Sequence, residues 1–99
     1  MDEIFARNVL YWGDEAQKII ASSHIAVFGL GGVGGFCAEA LARSGVGELT
    51  LVDFDKVSKS NINRQIIALN STVGMYKTEL FEIRLRDINP DIKLHLIND

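Results

Sequence analysis

The fold of this chain is decided by two stretches of sequence, VFGLGGVG at residues 27–34 and LVDFD at residues 51–55. Gly29, Gly31 and Gly34 have the G-x-G-x-x-G spacing, and Asp53 follows the third glycine by 19 residues. Such a strand–turn–helix lets backbone N–H groups approach phosphates, while the later carboxylate binds ribose hydroxyls. The pattern predicts a nucleotide site, with a purely structural glycine turn as the alternative. It leaves open which nucleotide binds and what is done with it.

The composition indicates a packed, ordered domain. The 99 residues are 47% hydrophobic, include one proline and carry a net charge of −3. Because nucleic-acid binding needs a clustered cationic face, this balance alone predicts no such binding. The single cysteine, Cys37, cannot form an internal disulfide, no apolar run reaches the roughly 20 residues that span a bilayer, and the N-terminus lacks a basic signal segment. We therefore expect a soluble, cytoplasmic protein with no membrane partner.

The hydrophobic pattern alternates between strand and helix periods. It predicts strands and helices, in chain order, at residues 14–22 (helix), 25–28 (strand), 33–44 (helix), 49–52 (strand), 66–69 (short helix), 73–88 (helix) and 92–97 (strand). Residues 1–13 show no clear period and are interpreted as an arm packed on the domain or on a partner. The order β-α-β-α-β predicts one α/β domain, a Rossmann-like parallel sheet with the spatial strand order 3-2-1.

This order places the most apolar strand, residues 25–28, at an edge of the half-sheet. Bare apolar edges invite pairing with other chains. We therefore expect the strands that complete the sheet to lie outside this chain or to come from a partner, so that the chain is the N-terminal half of a nucleotide-binding domain.

Several expectations concern individual side chains. The apolar run at 25–28 suits a strand buried on both faces. On the following helix we expect Cys37 to be buried and inert, and the inward-facing residues to be Phe36, Ala40, Ala38 and Leu41. His24 and His95 have no suitably spaced partner in sequence and are interpreted as neither ligands nor bases, so no metal site is predicted within the chain.

Polar residues near the predicted carboxyl ends of the strands indicate which nucleotide is bound. Asp53 is expected to hold the ribose, while Asp55 either orders its loop or lies near metal-bearing phosphates. The loop SNINRQ at residues 60–65 and Lys77, in the first turn of its helix, add cationic groups. Triphosphate chemistry needs such groups around the α-phosphate and the leaving pyrophosphate, whereas hydride transfer does not. A solvated basic pair on the surface is the alternative.

Four ordered motifs resemble the ubiquitin-activating-type (ThiF/MoeB-like) adenylating enzymes. They are GxGGxG at 29–34, GxGELTLVDxD at 45–55, SNxNRQ at 60–65 and TVGxxK at 72–77, and the resemblance spans residues 7 to about 90. Within that family, ARSGVG at 42–47, INRQI at 62–66 and RDINP at 86–90 are most similar to tRNA threonylcarbamoyladenosine dehydratases. Those enzymes use ATP to activate the carboxylate of a modified adenosine beside the anticodon, which then cyclises.

The resemblance implies roles residue by residue. The phosphates would be lined by Gly29, Gly31, Gly32 and Gly34, and contacted by Asn61, Arg64 and Gln65. Lys77 would steady the α-phosphate during attack, and Arg7 would reach into the site of a neighbouring subunit. The resemblance further implies ATP with Mg²⁺, whose aspartate ligand is expected beyond residue 99, and a homodimer acting on tRNA. The chain alone is then not a complete catalyst.

Other functions remain open at this point. A relative that adenylates a small sulfur-carrier protein would share the same motifs. The glycine spacing and Asp53 also allow an NAD-dependent oxidoreductase, and the half-built sheet allows a non-catalytic nucleotide-binding module.

Overall fold

The structure is a computed structural model and describes residues 3–99. A short 3₁₀ helix at Glu3–Phe5 leads into α1, and a second 3₁₀ helix lies at Lys59–Asn61. The main elements follow in the order α1 (Ala6–Ala21), β1 (His24–Phe28), α2 (Gly32–Ser44), β2 (Glu48–Val52), α3 (Lys77–Ile88) and β3 (Lys93–Ile97). Among the described residues, no helix combines the length and apolarity needed to cross a membrane.

The three strands form one parallel sheet with β2 in the centre. The order β1-β2-β3 is the predicted 3-2-1 order seen from the other side, and β1 lies at an edge as expected. Ile25, Leu49 and Leu94 are register partners across the sheet, as are Val27, Leu51 and Leu96. The Rossmann-like α/β prediction is confirmed.

One face of the sheet carries the core, because both crossovers place α2 and α3 on that side. Leu49 and Leu51 are fully buried there, together with Phe81 and Leu85 of α3. The prediction that strand 25–28 is buried on both faces is wrong: alternate side chains of β1 point to the uncovered face, where Phe28 is 79% exposed.

The buried stripe of α2 differs from the predicted one. Ala38 and Ala42 are fully buried, whereas Phe36 and Ala40 are exposed. Small residues face the core because α2 packs close to α3: a Cβ on Gly35 would lie 2.9 Å from Cζ of Phe81. Cys37, expected to be buried, is exposed for the same reason, since it lies one position beside this stripe.

The N-terminal helix is longer than predicted. It begins at Ala6 rather than near residue 14 and continues through a break at Gly13, whose φ of 84° lies in the left-handed region. The residues interpreted as an arm are thus mostly helical. Phe5 is the residue among them that is buried. In the second half of α1, Gln17 donates from Nε2 to the carbonyl of Ser44 at 3.0 Å and so holds the helix to the end of α2.

The loop between β2 and α3 contains less helix than predicted. Residues 66–69 form a turn followed by irregular chain instead of a helix, and α3 begins at Lys77 rather than near residue 73. Gly74 N–H donates to the carbonyl of Val57, and Val57 N–H donates to that of Met75. These long-range bonds satisfy the backbone in place of an i→i−4 ladder, which is costly to nucleate over so few residues.

A carboxylate at the middle of α2 links the two helices of the core layer. Glu39 accepts hydrogen bonds from Arg84 of α3 and from Arg43 one turn along α2. The Arg84 hydrogen bond is the largest cause that holds the pKa of Glu39 below its ordinary value. The link therefore adds stability above the ordinary glutamate pKa and loses it as acid protonates the carboxyl group.

Close packing at the glycine turn is testable. A Cβ on Gly34 would lie 1.8 Å from the carbonyl oxygen of Gly29, which is backbone and cannot move aside. We expect Gly34→Ala to lower the free energy of unfolding by about 3 kcal/mol, the upper range for overpacking. Gly32→Ala is the matched control, because the nearest atom there is 3.7 Å away, an ordinary contact. Urea unfolding followed by circular dichroism measures both, and equal losses would contradict the packing described.

Candidate nucleotide site

Two helices present open N-termini at the edge where the strands end. α2 begins at Gly32, directly after β1, and α3 begins at Lys77. Their N-cap residues, Gly31 and Tyr76, make no side-chain capping hydrogen bond. Backbone N–H groups of a first helical turn have no partner within the helix, and the helix dipole is positive there. Both ends can therefore bind an anion.

The glycine turn is tied to the neighbouring strand. Gly29, with φ of 88°, donates its N–H to the carbonyl of Val52 at 2.8 Å. This bond continues the β1–β2 pairing by one residue beyond β1 and fixes the position of the start of the turn relative to β2.

The carboxylate of Asp53 connects the turn to the loop after β2. Its Oδ2 accepts from the N–H of Leu30 at 2.7 Å, and its Oδ1 accepts from the N–H of Asp55 at 2.7 Å. The side chain is 8% exposed. The carbonyl of Asp55 in turn accepts from the N–H of Lys77 at 3.2 Å. A continuous path of hydrogen bonds thus joins the glycine turn, the acidic segment and the start of α3.

This geometry adds a structural role for Asp53 to the expected ribose contact. Each carboxylate oxygen already holds one backbone N–H and retains a second acceptor site. Asp55 differs, because its side chain is exposed and borders a cleft of about 280 Å³. The cleft is lined by Phe28, Gly29, Val52, Asp53, Phe54, Asp55 and Asp99.

The loop with the predicted phosphate ligands is shaped by Asn61. This buried side chain accepts from Ser58 N–H through Oδ1 at 2.9 Å, and its carbonyl accepts from the N–H groups of Arg64 and Gln65. Arg64 is exposed and donates from Nη1 to the carbonyl of Ser60 at 2.8 Å. In the structure Asn61 therefore orders the loop, while Arg64 remains at the surface.

Gln65 lies against the glycine turn. A Cβ on Gly31 would be 3.6 Å from Gln65 Nε2, and one on Gly32 would be 3.7 Å from the carbonyl of Arg64. Gln65 is 8% exposed, and its buried Oε1 has no hydrogen-bond partner among the described residues. A buried polar atom without a partner costs free energy that a bound ligand can recover.

Lys77 supplies a cation at the start of α3. Its side chain is 5% exposed, and within residues 3–99 it forms no ion pair. Its place at the first position of α3 confirms the predicted first-turn position, while Arg64, the other member of the basic pair, is exposed. The structure thus holds a cation with a largely enclosed side chain beside the N-terminus of α3.

Arg7 lies apart from these residues. It is exposed on α1, and the next residue, Asn8, contacts the carbonyls of Arg43 and Ser44 at the C-terminal end of α2. The glycine turn is at the other end of the same helix.

A larger cavity of about 530 Å³ lies at the C-terminal end of α2, lined in part by Arg43 and Arg84. It contains none of the residues predicted to bind the nucleotide, so the candidate site is located by chemistry rather than by volume.

One contact at this edge was missed by the sequence analysis. Thr78 is fully buried in the first turn of α3 and donates from Oγ1 to Oδ1 of Asn98, which follows β3 directly. The sequence did offer a signal for this contact, because Asn98 directly follows a predicted strand, at the edge where the other site residues were expected.

A three-stranded parallel sheet with a glycine turn after its first strand and helix N-termini at the same edge defines a Rossmann-type α/β domain. The chain belongs to the ThiF family, whose model matches residues 5–99.

Two relatives and one crystal structure show which members of that family this chain is similar to. The chain is 52% identical over 90 residues to a tRNA threonylcarbamoyladenosine dehydratase of Bacillus subtilis (strain 168), covering 91% of this chain and 35% of the relative. It is 41% identical to a molybdopterin-synthase adenylyltransferase of Haemophilus influenzae, covering 97% of this chain and 38% of the relative. A crystal structure of the Escherichia coli dehydratase in complex with ATP superposes with a TM-score of 0.96 at 43% identity, covering 98% of this chain and 40% of that one. The chain thus spans little more than a third of the length of these relatives.

The bridging role of Asp53 can be tested by Asp53→Asn. An amide retains one acceptor oxygen, so one of the two N–H groups, of Leu30 or Asp55, loses its partner. We expect a loss of about 1–3 kcal/mol in the free energy of unfolding, the cost of a buried unsatisfied donor. Asp55→Asn is the matched control and should change stability by less than about 0.5 kcal/mol, because that side chain is exposed. Guanidinium unfolding gives both values, and an unchanged Asp53→Asn variant would disprove the bridge.

Proposed function

We propose that this chain binds ATP at the glycine turn and that the protein containing it adenylates a carboxylate. The observation that carries the proposal is Lys77 at the N-terminus of α3, whose side chain is 5% exposed and forms no ion pair within residues 3–99. Gln65 Oε1, buried and unpaired beside the glycine turn, supports the same location. The E. coli relative was crystallised in complex with ATP, which agrees with this ligand.

A triphosphate suits this edge better than a dinucleotide. Two open helix N-termini, Lys77 and the nearby Arg64 supply positive potential on the side where phosphates would lie. An oxidoreductase needs no cation of this kind for hydride transfer. The ThiF family and the similar adenylyltransferases favour the same interpretation.

In the proposed reaction, the residues around the glycine turn and the start of α3 have separate roles. N–H groups of Gly31, Gly32 and Gly34 bind phosphate oxygens, with Asn61 and Gln65 shaping the wall behind them. A carboxylate oxygen of the substrate attacks the α-phosphorus, and the bond to pyrophosphate breaks. Lys77 and Arg64 stabilise the negative charge that grows on the α-phosphate and the leaving group. The acyl-adenylate then reacts with a nucleophile that displaces AMP.

Mg²⁺ fits the chemistry of the cleft, which offers hard oxygen donors from the exposed carboxylate of Asp55. When bound with ATP, the ion would neutralise phosphate charge. Asp55 would hold it, and the ribose hydroxyls would use the free acceptor sites of Asp53.

For the substrate we propose the threonylcarbamoyladenosine of tRNA, with an internal nucleophile closing the ring. Identity to the dehydratase exceeds identity to the adenylyltransferase, 52% against 41%. The chain's net charge of −3 offers no general attraction to RNA, so tRNA recognition would rest on parts of the protein outside these residues. For the compartment we propose the cytoplasm. Adenylation of a small sulfur-carrier protein is the second candidate.

We also propose a homodimer. The edge position of β1 and the far placement of Arg7 support it, because Arg7 can serve a nucleotide site only in another subunit. Exposed apolar side chains on the uncovered sheet face, such as Phe28 at 79%, add surface suited to an interface.

ATP binding can be separated from stability with Lys77→Met. Methionine keeps most of the side-chain volume and removes the charge, so the unliganded variant should be about as stable as the parent. Its affinity for ATP, measured by titration calorimetry, should fall by about tenfold or more, equivalent to one charge-assisted hydrogen bond. Lys18→Met, an exposed lysine at the end of α1, is the control and should bind ATP normally. Equal affinity in the two variants, or binding of NAD but not ATP, would refute the proposal.

The substrate can be identified in the protein that contains this chain. With ATP and tRNA bearing threonylcarbamoyladenosine, pyrophosphate release and loss of one water from the nucleoside should both be detected by mass spectrometry. Arg64→Ala should reduce the rate by about 10²-fold, as expected for loss of one donor to developing charge. Activity only with a sulfur-carrier protein would replace the tRNA proposal and leave ATP binding intact.

A further inference from the structure

A cluster outside the nucleotide site brings together side chains from all three strands. His24 begins β1, Glu48 begins β2, and His95 is the third residue of β3. His24 and Glu48 are register partners, and His95 pairs with Thr50, two residues along β2. All three side chains therefore project from the uncovered face of the sheet. They are far apart in sequence, which is why neither histidine had a recognisable partner there.

The ligand atoms of the cluster are close together. His95 Nε2 lies 2.6 Å from Glu48 Oε2, and His24 Nδ1 lies 3.7 Å from the same oxygen. The two imidazole centroids are 5.4 Å apart. One ligand atom from each residue falls within 4.8 Å of the others, a span that small side-chain rotations reduce to the spacing around one ion.

A neighbouring hydroxyl orients one of the two histidines. His24 Nε2 lies 2.7 Å from Thr50 Oγ1, which leaves Nδ1 directed toward Glu48. A hydrogen bond on the second ring nitrogen commonly orients histidines that bind metals. Lys93 is the nearby cation that opposes metal binding, and it is exposed to solvent.

We propose that His24, Glu48 and His95 form a binding site for a divalent transition-metal ion such as Zn²⁺. Two imidazole nitrogens and one carboxylate oxygen are a donor set that zinc accepts, with solvent completing the coordination. The site lies at the N-terminal ends of the strands, about 13 Å along five-residue strands from the nucleotide edge. The ion takes no part in nucleotide chemistry and instead cross-links the edge strand β1 to β2 and β3.

The test is a calorimetric titration of ZnCl₂ into chelator-treated protein at pH 7 without nucleotide. We expect one ion per chain, release of protons on binding, and a rise in thermal stability that grows with the Zn²⁺ concentration. His24→Ala, Glu48→Gln and His95→Ala should each weaken binding by about tenfold or more. Glu82→Gln is the matched control, because Glu82 is a carboxylate paired with Arg86 on α3 and far from the cluster.

A second measurement keeps the proposal testable if a variant does not fold. In the unaltered protein, Zn²⁺ should shift the Hε1 resonances of both histidines together, with saturation at one equivalent. Binding that is unaffected by His95→Ala would overturn the proposal. So would histidine resonances that respond to pH but not to Zn²⁺, since the cluster would then be a cross-strand ion pair only.

Discussion

The hydrogen bonds of one carboxylate organise the nucleotide edge of this protein. Asp53 accepts the N–H of Leu30 in the glycine turn and the N–H of Asp55 in the following loop, both at 2.7 Å. Without this bridge the turn would keep the backbone hydrogen bond of Gly29 to Val52 and the packing of Leu30, but the segment leading to α3 would lose its link to the turn. Asp53 thus joins the two loops that lead to the N-termini of α2 and α3.

The same edge contains two groups that a ligand could engage. Gln65 Oε1 is buried without a donor, which costs free energy, and Lys77 forms no ion pair within residues 3–99. Proteins retain such costs at binding sites, where the ligand supplies the missing partner. A polyphosphate supplies anionic oxygens for Lys77 and for the helix N-termini, which is why ATP accounts for more of the structure than a structural glycine turn does.

The sequence allowed the strand order and the motif positions to be predicted, because crossover handedness and glycine spacing act locally. Side-chain burial was harder to predict from the sequence. Phe36 and Cys37 were expected inside, but the close approach of α3 at Gly35 requires the small residues of α2 to face the core. The late start of α3 depends on long-range bonds that Val57 makes with Gly74 and Met75. The meeting of His24 with His95 depends on register across three strands, which spacing along the chain does not reveal.

The most direct test of the account is an NMR titration of the isotopically labelled chain with ATP. The largest amide shifts should occur at Gly31–Gly34, at Gln65 and in the first turn of α3, and the Lys77 side chain should respond with them. Shifts concentrated instead around Arg43 and Arg84, at the larger cavity beyond the far end of α2, would contradict the account.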